Sequence, residues 1–312
     1  MKNTITEALL IAVLLFAFVA CPAHSSEQEK YVVAIPFIEG MGETSIGNLI
    51  KDIVKEMGNK LNVKTEFRAI SYRHGDNTLK LVVDKFKSGE ADISFIYGNE
   101  YAQYLDSGED VFVPMFVLSV AKQIVLPVCI YTRKGEYDSI DQLRGKAFGT
   151  SNYKPVRYLL YQAGIDEHLD DFFGEVKYIS DSPVSNIIDP LVNNEIDAFL
   201  AYDSVIRIGG YYTKKSTPFE PLVCEDYDHT WIFIARKGVD PDIIEKLTKI
   251  MVKSDKDPDF AKFQFAFKMV DGKFYPFQEK YFEKAREVYK IIKKNGWMKE
   301  EKEFYNKYLP GK

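Results

Sequence analysis

The sequence predicts an α/β protein of two doubly wound α/β lobes joined by two crossover strands. Three features carry that expectation. Short β-branched runs alternate with amphipathic helical segments, as when helices return each strand in parallel. The alternation halts and starts afresh later in the chain. Finally, "SGEADISFIY" at 88–97 and "NNEIDAFLAY" at 193–202 repeat one another 105 residues apart, each with a glutamate, an aspartate two residues later and an apolar strand ending in tyrosine.

In chain order, "YVVAIPF" (31–37) is the first strand, followed by the turn "EGMGETS". Ile46, Ile50, Ile53, Val54 and Met57 then recur at helical spacing behind Thr44 or Ser45 as N-cap. "VKTEFRAI" is a strand, "NTLKLVVDKFKSG" a helix closed by Gly89, and "ADISFIY" a third strand. Ligands of open parallel sheets bind beyond the carboxyl ends of the strands. Tyr97, Gly98 and Asn99 therefore stand at a functional end, where glycine lets the backbone turn while Tyr97 and Asn99 present a hydroxyl and an amide. An ordinary β-to-α turn with Asn99 as N-cap fits the same residues.

The second round runs "GKAFGTS" (145–151), "KPVRYLLYQAG", "EVKYIS", "PVSNIIDPLVNNE" and "IDAFLAYD" as strand, helix, strand, helix, strand. "VFVPMFVLSV" and "KQIVLPVCIYTRKG" lead into it and "TWIFIARKG" leads out, so lobe one is 30–122 plus 234–312 and lobe two is 123–233. The remaining helices are "PDIIEKLTKIMVKS" with Pro241 near its start, "DPDFAKFQFAF" with Phe260, Phe263 and Phe267 as a core stripe, and "YPFQEKYFEKAREVYKIIKKNG". All are expected to pack back on lobe one.

With 46% hydrophobic and 14% aromatic residues, the 312-residue chain can fill a core. Its net charge of -5 comes from 41 basic and 46 acidic residues spread along the chain, which leaves no basic patch for nucleic acid. Residues 1–25 read as an export signal, with Lys2, an apolar run from Ala8 to Ala20 and a small, polar end. "FVAC" at 18–21 resembles a bacterial lipobox, so either Cys21 is lipidated or the chain is cut near Ala23 or Ser25. Both routes place the mature protein in the periplasm or on the outer face of the cytoplasmic membrane. Cys129 and Cys224 then remain, as a disulfide or as two buried thiols. His24, His74, His168 and His229 show no metal-ligand spacing, so no metal and no cofactor is expected. No GxSxG, P-loop or strand-following GxGxxG supports an enzyme.

"GEADISFIYGN", "YTRKGEYDSIDQLRGKAFGTSN", "VNNEIDAFLAYDSV" and "WIFIARKGVDPDIIEKL", in this order, resemble the phosphate/phosphite/phosphonate-binding solute proteins of ABC transporters, with the type II periplasmic binding protein fold. The resemblance covers most of residues 30–290. It implies a monomeric Venus flytrap whose lobes close on a small oxyanion and deliver it to an ABC transporter permease. A periplasmic module feeding a membrane sensor kinase, or a binder of a non-phosphorus small acid, would carry the same features. An enzyme of this fold, making the pyrimidine precursor of thiamin, uses a histidine-rich region with no counterpart here.

By the same resemblance Tyr97 is a ligand residue, and the loop "GTSNYKP" (149–155) supplies hydroxyls and helix-start N–H groups to an anion. The candidates there are Thr150, Ser151, Asn152, Tyr153 and Lys154, with fewer hydroxyls than the family's loop and an added lysine. The family's tyrosine at the start of the second helix is missing, since Thr78 and Leu79 stand there; "SYRHGDNT" offers Tyr72, Arg73 and His74 instead. Arg73 has the geometry to fork two hydrogen bonds to an oxyanion. Tyr202 and Asp203 occupy in the second copy the place of Tyr97 to Asn99 in the first. Asp92 and Asp197 read as strand-start residues. The family's amine-holding carboxylates find no clean match, Asp203 and Asp228 being only nearby, which argues against an aminoalkylphosphonate.

Overall fold

The computed structural model describes residues 29–309 except 40, 74, 181–184, 209–216, 259, 261–263, 265–267 and 269. The export segment with Cys21, His74, Phe263 and Phe267 lie outside the described residues.

The first round gives β1 (Lys30–Ile38), α1 (Ser45–Leu61), β2 (Lys64–Tyr72), α2 (Thr78–Lys87), β3 (Ile93–Ile96), α3 (Gly98–Ser107) and β4 (Phe112–Leu118). The second gives β5 (Val125–Arg133), β6 (Ala147–Thr150), α4 (Tyr153–Gln162), the short α5 (Leu169–Phe172), β7 (Glu175–Tyr178), α6 (Ser185–Val192), β8 (Ala198–Tyr202), α7 (Asp203–Ile208) and β9 (Phe219–His229). The chain returns through β10 (Ile232–Arg236), α8 (Pro241–Lys253) and β11 (Phe274–Pro276), and ends in α9 (Glu283–Lys294) and α10 (Trp297–Tyr308).

Two sheets result, ordered β11–β4–β10–β3–β1–β2 and β7–β6–β8–β5–β9. In each, the first strand of the round lies between its two parallel partners, and an antiparallel strand joins beyond the third: β10 beside β3, and β5 beside β8. β1 is buried along most of its length, which is why it reads as an unbroken apolar run. The local signals behave as expected: the Asn77 side chain accepts the Lys80 N–H at 2.9 Å to cap α2, and Gly89 ends that helix at φ 72°.

The aspartates of the repeated block start their strands in the same way. Asp92 accepts the Val32 N–H at 2.9 Å and the Arg236 guanidinium at 2.6 Å. Asp197 accepts the Ala147 N–H at 2.9 Å and the Arg133 guanidinium at 3.0 Å. Each carboxylate thus ties the first strand of its round to the antiparallel strand.

The chain passes between the sheets at 119–124 and again at 230–231, so β10, which the sequence reading divided at 233/234, belongs entirely to the first sheet. The passages bond to each other through the Thr230 N–H and the Ile124 carbonyl, and the Trp231 carbonyl accepts the N–H of Leu118 at the end of β4, both at 3.0 Å. Of the two cysteine outcomes the disulfide holds, joining opposed residues of β5 and β9.

The C-terminal expectation needs correction. Leu247 and Met251 of α8 and Phe260 do enter the core of the first sheet. Val288 and Ile292 of α9 and Trp297, Phe304 and Tyr305 of α10 instead join the core of the second, with Phe148, Val156 and Tyr158. "YPFQEKYFEKAREVYKIIKKNG" is also not one helix: Phe274–Pro276 pairs with β4, and Gly296 turns the chain at φ 73° between α9 and α10. An amphipathic stripe demands burial without naming the surface that buries it.

Candidate functional site

At the join between the lobes, the loops at the carboxyl ends of β3 and β6 both come near Asp228 at the end of β9, the first through the Asn99 N–H and the second through the Lys154 charge. Tyr97 follows β3 and is 37% exposed, its ring edge-on to Phe95 at 6.1 Å, while Trp231 stacks on the same Phe95 at 5.1 Å. Trp231 and Tyr72 lie close to the Tyr97 hydroxyl. Gly98 is required by crowding: a β-carbon there would stand 2.7 Å from the His229 Cβ and 2.9 Å from Asp228 Oδ1. Only glycine lets the first turn of α3 close against the end of β9.

That first turn is met by two carboxylates. Asp228 Oδ1 accepts the Asn99 N–H at 2.9 Å, and Glu100 Oε2 accepts the Tyr97 N–H at 2.9 Å. Glu100 also accepts the Thr78 hydroxyl, bracing the start of α2. Free N–H groups and positive dipole character make a helix start a natural seat for negative charge. Burial nevertheless pushes Asp228 up to about 7, against the lowering effect of the His229 and Asn99 N–H groups and the Lys154 charge. Glu100 is raised by the same desolvation. His229, buried against Phe282, is lowered to about 4 because burial disfavours its charged form, and neither ring nitrogen has a hydrogen-bond partner. The Asn99 Oδ1 is also buried without a partner.

On the second rim, Thr150 folds its own loop, donating to the Asn152 carbonyl at 2.9 Å and accepting the Asn152 N–H at 3.0 Å. The Asn152 amide reaches Ser151 Oγ at 2.7 Å. Lys154, in the first turn of α4, pairs with Glu301 of α10 at 2.9 Å, and its charge acts on both Glu100 and Asp228. Among the described residues no cluster of three His, Cys, Asp or Glu side chains is arranged to hold a metal, and no helix is long and apolar enough to cross a membrane.

No protein-family model and no curated protein sequence matches the chain. Solved structures do match in fold. PhnD1 from Prochlorococcus marinus, in complex with methylphosphonate, is 16% identical with a TM-score of 0.59, over 85% of this chain and 98% of that one. The binding protein component of an ABC phosphonate transporter from Pseudomonas aeruginosa is 12% identical with a TM-score of 0.59, over 90% and 94%. The periplasmic aliphatic sulphonate binding protein SsuA from Escherichia coli is 11% identical with a TM-score of 0.53, over 86% and 88%. This chain has the type II periplasmic binding protein fold.

Within the type II fold the predicted residues divide. Tyr72, Tyr97 and Asn99 of the first lobe and Lys154 of the second gather around Asp228 and Glu100. Tyr202 lies 6.5 Å from the ring of Tyr227, which neighbours Asp228. Thr150, Ser151 and Asn152 form the second rim but spend much of their bonding on one another. Three candidates point elsewhere. The buried Tyr153 donates its hydroxyl to Glu300 and packs on Phe304. Arg73 forks onto Glu39, and that bond holds Glu39 below the usual carboxylate range. Asp203 is buried in the second lobe with Arg207 and Tyr131.

Sequence reasoning missed Glu100, Trp231 and Glu301 and undervalued Asp228. Glu100 carried a signal, a glutamate three residues after the strand-ending Tyr97, at the N3 position of the helix that follows. Glu301 carried none, because its partner Lys154 is 147 residues away.

Proposed function

We propose that this protein is an extracytoplasmic solute-binding protein that closes its lobes on a small phosphorus oxyanion and presents it to an ABC transporter permease. One observation carries the reading: donors reach the join from both sides, the hydroxyl of the exposed Tyr97 beside the Asn99–Asp228 contact on one rim and Lys154, whose charge acts on Asp228, on the other. Contacts made by both lobes at once favour the closed state, and a permease can read that closure. The type II proteins that bind methylphosphonate and aliphatic sulphonates support the ligand class.

Asp228 and Glu100 narrow it. An oxyanion bearing its own ammonium group would hold Asp228 and Glu100 ionised against the burial that raises both, while its acidic end meets Lys154, a counter-charge that a bare dianion does not offer. Among phosphonate, phosphite and phosphate, the buried carboxylates therefore favour a phosphonate that carries an amine, a class the sequence alone argued against. Export is supported by the signal-like N-terminus and by the Cys129–Cys224 disulfide, a bond at home in an oxidising compartment.

A thermal-shift screen of an aminoalkylphosphonate, methylphosphonate, phosphite, phosphate, sulfate and small carboxylates tests the reading. A ligand at a hundredfold its Kd stabilises by about 2.7 kcal/mol, and the aminoalkylphosphonate is expected to give the largest shift. A response to carboxylates alone, or to nothing, overturns the phosphorus assignment. Tyr97→Phe is expected to weaken the bound oxyanion by about 1 kcal/mol.

A further inference from the structure

The terminal helix α10 touches both rims of the join. On the second lobe it is anchored: Trp297 and Phe304 lie in the core, Glu301 pairs with Lys154, and the Tyr305 hydroxyl donates to the Ser151 carbonyl at 3.2 Å. On the first lobe the Tyr305 ring lies against Gly75, in the loop between β2 and α2; a β-carbon at Gly75 would stand 3.3 Å from Tyr305 Cδ2. Tyr305 is only 8% exposed. One ring thus fills the space between the loop at Gly75 and the loop at Ser151. α9 bridges in the same sense, with Lys293 2.6 Å from Asp106 of α3 while Val288 and Ile292 enter the second core.

The geometry points to α10 as a latch: Tyr305, carried by the second lobe, seats on Gly75 of the first and holds the lobes together before any ligand binds. The anchoring decides which side lets go. Core residues, an ion pair and a hydrogen bond fix α10 to the second lobe, so opening lifts the ring from Gly75 and leaves the Ser151 contact intact. Glycine suits the seat because it lets the ring approach the backbone, and at φ 88° it adopts a conformation that residues with side chains disfavour. The inference rests on the reading that the lobes open and close, and on no particular ligand.

Spin-label distance measurements without ligand test it, using labels at exposed Lys80 of α2 and Lys134 beyond β5, with Cys21 replaced by serine and Cys129 and Cys224 held in their disulfide. Wild type and Tyr305→Phe, which keeps the ring, are expected to share one short distance. Tyr305→Ala is expected to shift the distribution outward. Gly75→Ala, made on an exposed loop and sparing the second core, attacks the contact from the other side and is expected to do the same. Folded Tyr305→Ala and Gly75→Ala proteins with the wild-type distribution overturn the latch, and so does a Tyr305→Phe protein that opens like the alanine variant. Because no ligand is present, a failed oxyanion screen leaves this result standing, and a failed latch leaves the screen standing.

Discussion

The two copies of the glutamate–aspartate–strand–tyrosine block begin alike and end differently. At the start, Asp92 and Asp197 each hold a backbone N–H of the neighbouring parallel strand and an arginine of the antiparallel strand. At the end, the first copy turns through Gly98 so that α3 opens onto Asp228, whereas the second turns through Asp203, whose carboxylate stays inside its own lobe with Arg207 and Tyr131. The shared part builds a sheet, and the divergent part builds one side of a site. Position in a repeat therefore identifies the scaffold role reliably and transfers the binding role poorly.

The largest effect separating the two ends should come from pH. Asp228 is raised from 3.8 to about 7, so between those values the folded protein holds a proton that the unfolded chain has released, and stability falls as pH rises through that window. His229 is lowered from 6.5 to about 4, so its contribution runs the other way, rising as pH climbs from about 4 to 6.5. The two slopes largely offset in the wild type. Asp228→Asn should unmask a stability that rises over this range by about 3 kcal/mol, and His229→Leu one that falls by about 4 kcal/mol, in urea midpoints taken from pH 4 to 8. Flat profiles in both variants would detach the end of the first copy from these buried groups.

Removing the disulfide sharpens the contrast between lobes. Cys129 and Cys224 are separated by 95 residues, and replacing both with alanine is expected to cost about 3 kcal/mol, with hydrogen-exchange protection lost first in the second sheet. Equal loss in the first sheet would mean that the lobes unfold as one unit. The strand-start clamps come next. Asp92→Ala, which leaves the Val32 N–H and the Arg236 charge unanswered, should destabilise by about 3 kcal/mol, and the more exposed Asp197→Ala by about 2 kcal/mol. A clear inequality in the reverse order would break the equivalence of the two starts. Gly98→Ala matches the Asp197 effect, expected to destabilise by about 2 kcal/mol through overpacking against His229 and Asp228, read as a lower thermal midpoint.

Much of the fold was legible because its signals are local. The alternation of runs such as "ADISFIY" and "NTLKLVVDKFKSG" follows from periodicity, and Asn77 and Gly89 act through their own backbone. Asp92 and Asp197 read correctly as strand-start residues because each stands just before an apolar strand. The site was less legible. Tyr97 and Asn99 stood out by their place at a strand end, but Tyr153, one residue before Lys154 in the same helical turn, faces Glu300 and not the join. A helix start fixes which residues are near and leaves their directions to the packing.

By itself the sequence determined that there are two wound α/β units, where each β-to-α turn falls, and that the chain returns to the first sheet, since these depend on residue spacing and on propensity within a few positions. Tertiary structure alone decided that α9 would bridge the lobes and α10 would lie on the second, that Asp228 would meet the first turn of α3, and that Glu301 would reach Lys154. The physical reason is that burial and charge pairing depend on what arrives from distant parts of the chain. An apolar stripe or a lone carboxylate accepts any complementary surface until the fold supplies one.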